Sequence, residues 1–130
     1  MSEQNDRSPE LWSAIDDLCT WVEAGQPVGG REGLLLGMLK LSEEAGEVAE
    51  AVIGATGQNP RKGVTHTWDD VQAELCDVVI TALVALRMLT PDTQEVFTRH
   101  LARVTERSLG PSAVVHLQDL PTTPGVDEIR

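Results

Sequence analysis

The stretch at 78–89, VVITALVALRML, is apolar on nearly every side of a helix. A helix without a polar face has nothing to offer water, so it must be surrounded by other protein. It is too short to cross a bilayer, which takes about 20 consecutive apolar residues. A chain of 130 residues has room for one domain with a real core and no more. Burying such a helix on all sides is hard within one copy of that size, and the pattern predicts a subunit interface. Aromatic residues make up only 3% of the chain, so Leu, Val and Ala must do most of the packing. That mixture suits helices better than a sandwich or barrel. The expected class is all-α.

Four helices are predicted. Ser8-Pro9 offers a capping hydroxyl and a first-turn proline, Leu11, Ile15, Leu18 and Val22 follow at helical spacing, and Gly25 with Pro27 ends the run. A second helix spans about 31–53, with Leu34, Met38, Leu41, Ala45, Val48 and Val52 on one face. Gly54, Gly57 and Asn59-Pro60 close it, and 54–66 reads as a loop. Thr67 can cap a third helix that runs to Leu89, with Asp69 and Asp70 where the helix dipole favours negative charge. Thr90-Pro91 repeats the start signal for a fourth, which buries Phe97, Leu101 and Val104 and stops at Gly110-Pro111. Residues 1–7 read as a disordered lead, 8–110 as one helical domain and 111–130 as an irregular tail. No internal repeat is evident.

The formal net charge is −11, from 21 acidic and 10 basic residues. A nucleic-acid binder presents a basic face, so general binding to nucleic acid is not expected. A small anionic substrate remains compatible if divalent cations bridge it to the protein. Cys19 and Cys76 form no CxxC pair and fall within predicted helices, which suggests two reduced, mostly buried thiols. With neither a signal peptide in the polar first residues nor a membrane-length apolar run, the expected location is cytoplasmic.

The acids carry the chemistry. Glu43, Glu44, Glu47 and Glu50 lie on the second helix, and Glu74 and Asp77 lie one turn apart on the third. At about 100° per residue, Glu43, Glu44 and Glu47 share a sector away from the apolar stripe. Two antiparallel helices joined by a short loop could bring the two sets face to face. At about 6 Å and an effective dielectric near 20, each like-charged pair repels by roughly 3 kcal/mol. Facing carboxylates must protonate, spread into solvent or bind a cation. Oxygen-only ligands suit a hard ion, Mg²⁺ or Mn²⁺, rather than zinc. The histidines, His66, His100 and His116, do not follow an acid in the ExxH manner of di-iron bundles. Glutamates along a helix are most often just its solvated face. Glu74 and Asp77 weigh against that reading, because they border the most apolar segment, where an unpaired charge is expensive.

KLSEEAGEVAEAV at 40–52 followed by ELCDVVITALVAL at 74–86 resembles the EExxE…ExxD pattern of the MazG-like nucleotide pyrophosphohydrolases. The resemblance covers roughly residues 31–107. It implies an all-α NTP pyrophosphatase fold, a four-helix core completed by dimerisation or a higher homo-oligomer, with Mg²⁺ as cofactor and Mn²⁺ as a possible substitute. The reaction it implies is hydrolysis of a (deoxy)nucleoside triphosphate to monophosphate and pyrophosphate, with cations activating the water that attacks the α-phosphorus. Glu44, Glu47, Glu74 and Asp77 would be the principal ligands, and Glu43 would help hold a second ion or orient the water.

The remaining candidates concern substrate. Arg99, Arg103 and Arg107 form a stripe at i, i+4 spacing on the fourth helix. The resemblance suggests that Arg103 and Arg107 contact phosphate, whereas the spacing alone fits a solvated stripe equally well. Lys40 precedes the motif, as in related sequences, and a surface lysine explains it too. Trp68, Trp12 or Trp21 could stack on a base, or fill core and interface. Arg61-Lys62-Gly63 could touch phosphates from the loop. Two features depart from fuller forms of the family: there is one catalytic domain where some members have two, and arginine stands where lysine is common on the last helix. Three rival readings stand beside this one: a phosphoribosyl-ATP pyrophosphohydrolase, a non-catalytic helical dimerisation module, and a nucleotide or metal sensor without turnover. The base and sugar of the substrate are not specified by the sequence.

Overall fold

The computed structural model describes residues 10–110, and every regular element in it is a helix. The predicted lead, the Ser8-Pro9 start and the 111–130 tail lie outside the described residues. The helices are α1 (Leu11–Gly25), α2 (Gly30–Thr56), α3 (Trp68–Leu89) and α4 (Thr93–Leu109). The chain divides between Thr93 and Gln94 into two compact units, the first holding α1 to α3.

Two of the starts, those of α1 and α3, have a side-chain cap. Glu10 caps α1 by accepting a hydrogen bond from the Ser13 N–H at 2.8 Å. Thr67 caps α3 through a complete capping box: its Oγ1 accepts from Asp70 N–H at 3.2 Å, and Asp70 Oδ2 accepts from Thr67 N–H at 2.8 Å. The second helix runs three residues beyond its expected end, to Thr56, and stops at Gly57, whose left-handed backbone (φ 64°) suits glycine. The following loop doubles back, and Thr65 N–H donates to Gly54 O at 3.0 Å.

α1 and α2 each pack on α3. Ile15 and Cys19 from α1 meet Leu83 and Val84 from α3, with Trp12, Val22 and Met88 packed around them. The buried side of α1 is therefore the stripe through Trp12, Ile15, Cys19 and Val22. The expected Leu11 and Leu18 are exposed. An Arg87 Nε–Asp16 Oδ1 ion pair at 2.7 Å ties α3 to α1.

α2 and α3 run antiparallel. Gly37 faces Met88 near one end of the seam, and Gly54 faces His66 at the other. The second place excludes a larger side chain: a Cβ on Gly54 would stand 2.1 Å from His66 Nδ1. α3 is not buried all round within one chain. Leu83, Val84 and Ala85 are buried, whereas Leu75, Val79, Ile80 and Leu89 are exposed. On α2, Leu35, Leu36 and Leu39 are exposed too.

In the second unit the described element is α4. It begins at Thr93, three residues after Thr90, because Thr90 instead ends α3 by donating its N–H to Leu86 O at 3.1 Å. Arg99 pairs with Glu95, one turn earlier. Phe97 and Leu101, expected in a buried face, are exposed, while Val104 is half-buried. Among the described residues, no helix is long and apolar enough to cross a membrane.

Candidate metal centre

The seam between α2 and α3 should be its driest part, and the most buried line of α2 runs through Gly33, Glu44, Ala51 and Gly54. Glu44 is thus an acid in a position made for a small or apolar side chain, with 9% of its surface exposed. The expectation that Glu44 lies with Glu43 and Glu47 in a sector away from the apolar stripe is corrected here: Glu44 is buried, Glu47 half-buried and Glu43 exposed. Of the expected apolar stripe, Leu34, Met38, Leu41, Val48 and Val52 are half-buried and Ala45 is exposed, while Glu44 beside it is buried.

The antiparallel register sets Glu44 opposite Glu74 and Asp77. Among the described residues, these three form a group of acids whose ligand oxygens all lie within 4.8 Å of one another. Glu44 is buried, Glu74 half-buried and Asp77 exposed, so the group opens to solvent on the Asp77 side. At that separation two carboxylates in an effective dielectric of 20 repel by about 3.5 kcal/mol, an upper figure where one is solvated. One atom is telling. Glu74 Oε2 is buried and finds no hydrogen-bond partner among the described residues. A buried acceptor is normally paired, and leaving one unpaired costs about 1–3 kcal/mol. A hard divalent cation would relieve both the orphaned oxygen and the repulsion. The donor set fits Mg²⁺ or Mn²⁺.

Glu47 stands beside this group, half-buried, one turn beyond Glu43 and Glu44. The charge of Glu44 raises its pKa above the ordinary value, helped by burial, by a hydrogen bond with Glu44 and by the charges of Glu74 and Glu43. Glu43 points to the outside, where it accepts a hydrogen bond from Lys40 Nζ at 3.0 Å. Glu50, the remaining acid of the predicted series, is exposed and lines a separate depression with Asn59, Lys62 and His66.

A cavity of about 400 Å³ lies between α1, α2 and α3, lined by Leu18, Trp21, Val22, Leu36, Ile80 and Val84 among others. Lys40 and Thr81 line it too. Each is one helical turn from a triad acid, Lys40 from Glu44 and Thr81 from Asp77, so the cavity starts where the triad ends. Its lining comes from three helices and the link between α1 and α2, a convergence with no local pattern in the sequence.

The other candidates are scattered. Trp68 opens α3 with its side chain exposed, Trp21 is exposed at the cavity, and Trp12 packs against the core. Arg61 and Lys62 have exposed side chains, and their backbone N–H groups bond Asn59 at 3.0 and 3.1 Å in a tight turn. Arg103 and Arg107 are exposed and one turn apart on α4. Cys19 is buried, as expected, but Cys76 is exposed, because it lies on the side of α3 facing away from its neighbours.

Comparison of the chain with family models, with curated proteins and with solved structures finds no match. The resemblance to MazG-like enzymes therefore rests on the acid motifs alone.

Proposed function

We propose that this chain is a magnesium-dependent pyrophosphohydrolase of the MazG-like kind, which hydrolyses a (deoxy)nucleoside triphosphate to the monophosphate and pyrophosphate. The observation that carries this reading is the convergence of Glu44, Glu74 and Asp77 across the helix seam, with Glu74 Oε2 buried and unpartnered. Such a group is costly as packing alone, since apolar residues of similar volume are often as stable or more stable in a helix seam.

Glu44, Glu74 and Asp77 would hold the cation, and Glu47 and Glu43 extend the set of oxygens along α2. Mg²⁺, or Mn²⁺ in its place, supplies neutralisation of phosphate oxygens and activation of the attacking water. That charge also lets a protein of net charge −11 accept a polyanion. The apolar cavity next to the triad suits the base and sugar, with Trp21 at its edge. Lys40, Arg61 and Lys62 are exposed cations that would meet the phosphates, the resemblance adds Arg103 and Arg107 to them, and Trp68 is a second exposed ring. The exposed apolar residues of α2 and α3 support a homodimer or higher homo-oligomer as the working form.

The test is a panel of nucleoside and deoxynucleoside triphosphates with Mg²⁺, scored for pyrophosphate against orthophosphate. Pyrophosphate release that stops in excess chelator is expected. Turnover confined to phosphoribosyl-ATP would reassign the substrate, and no turnover with any of them would leave a binding module.

A further inference from the structure

The depression beside Glu50 is built differently from the apolar cavity. Its volume is about 360 Å³, and its polar groups are Glu50, Asn59, Lys62, Thr65 and His66. Two of them are fixed from behind. His66 Nδ1 lies 2.9 Å from Thr65 Oγ1, which leaves Nε2 as the ring nitrogen for a ligand. Asn59 Oδ1 accepts from Arg61 N–H at 3.0 Å, which leaves the N–H groups of its own amide to donate. Thr65 N–H donates to Gly54 O at 3.0 Å, and the bare Gly54 lets the His66 ring come close to α2. A loop held in this way loses little freedom when it binds. Its place along α2 matters as much. The apolar cavity reaches Lys40, one turn before Glu44, whereas the depression begins at Gly46 and Glu50, on either side of Glu47. At a rise of about 1.5 Å per residue, Glu50 stands about 9 Å beyond Glu44 along the axis. The acids thus separate an apolar chamber from a polar one. Hydrolysis at the α-phosphorus parts its substrate into products of just such opposite character, one with a flat ring and one that is all charge.

We propose that this depression receives the pyrophosphate half of the substrate as its magnesium complex, with Lys62 Nζ, His66 Nε2 and the Asn59 amide donating to the oxygens and Glu50 facing the magnesium. This rests on the pyrophosphohydrolase reading above and adds a product site to it. Glu50 makes the site selective. A carboxylate among donors repels a bare polyanion and accepts one whose charge a divalent ion has reduced.

Calorimetric titration of the full chain with pyrophosphate, in excess Mg²⁺ and again in chelator, tests the site without turnover. Wild type is compared with Lys62→Met, Lys62→Arg, Glu50→Gln and His66→Phe, which keeps a ring against Gly54, each checked for native helix content. Losing one charge-assisted hydrogen bond should weaken binding of magnesium pyrophosphate by about tenfold to a hundredfold in Lys62→Met and in His66→Phe. Lys62→Arg should stay near wild type. Glu50→Gln should narrow the difference between the affinities with and without Mg²⁺. Mn²⁺ titration of the same variants without pyrophosphate should match wild type, because the triad lies elsewhere, and a general loss of structure would disturb it too. Unchanged affinity for magnesium pyrophosphate in Lys62→Met or His66→Phe, or an unaltered magnesium dependence in Glu50→Gln, overturns the proposal. Pyrophosphate release from a triphosphate would then leave the enzymatic reading standing without this site. If wild type releases pyrophosphate from no triphosphate, the enzymatic reading falls and this proposal with it.

Discussion

A carboxylate in a helix seam is costly unless it is paired. Glu44 has Lys40 beside it, but the buried oxygen of Glu74 has no partner among the described residues. Taking charge out of this cluster should therefore spare the fold and harm the chemistry. Glu47→Gln or Asp77→Asn should abolish turnover, and thermal unfolding without metal should occur at the same or a higher temperature than in wild type. Full activity in both variants would contradict the assignment. The pH dependence has a definite sign. Glu47 holds its proton more tightly in the folded chain, chiefly because of the Glu44 charge. That contribution to stability is present below the ordinary value of 4.5 and is lost as the pH rises through the raised pKa. Without metal, wild type should lose thermal stability relative to Glu47→Gln as the pH rises from 4.5 through the raised pKa. A gap between the two that stays constant over that range would count against the cluster. At this scale the acids were legible as types and spacings, but the burial of Glu44 was not. The apolar stripe was legible, but only the partner helix decides how wide the buried sector is, and here it takes in Glu44 as well.

Elements obey more local rules, and most were visible in the sequence. Thr67 with Asp70 is a short-range device, and the start of α3 follows from it. Thr67→Ala should cost about 1 kcal/mol in denaturant unfolding and leave Mn²⁺ affinity little changed, because Glu74 lies well inside the helix. Gly54 depends on a contact between elements. Its added Cβ would also stand 2.5 Å from Thr65 Oγ1, so Gly54→Ala should cost about 1–3 kcal/mol or displace the loop. Stability equal to wild type would show that the loop packs elsewhere in solution. Thr90-Pro91 was legible as a boundary but not as whose: the threonine ends α3, and α4 starts at Thr93. The arginines of α4 can be separated by alanine substitution. If Arg103 or Arg107 meets the triphosphate, losing it should reduce kcat/KM by about tenfold to a hundredfold. Arg99, paired with Glu95, serves as the comparison. If all three variants hydrolyse like wild type, the stripe is solvated, and Arg61 and Lys62 become the candidates for phosphate.

Over the whole molecule, the apolar surface is what one chain leaves unresolved. Val79 is 57% exposed and Leu39 64% exposed, on the two helices that also carry the acids. The composition of 78–89 makes burial on all sides hard to arrange within one copy, and among the described residues Leu75, Val79, Ile80 and Leu89 are exposed. It could not be read from the sequence that α1 packs through Cys19 rather than Leu18, since both fit a helical stripe and only the shape of α3 decides. Light scattering at micromolar concentration should give at least a dimer, and Val79→Arg should shift it toward monomer without unfolding it. An active wild-type monomer would show that the apolar faces have another purpose. The most direct test of the central claim is to hydrolyse the preferred triphosphate with Mg²⁺ in water carrying heavy oxygen and to follow the label by mass spectrometry. Attack at the α-phosphorus places the heavy oxygen in the monophosphate and leaves pyrophosphate unlabelled, as this account predicts. Label in pyrophosphate or orthophosphate, or no cleavage of any triphosphate, would contradict it.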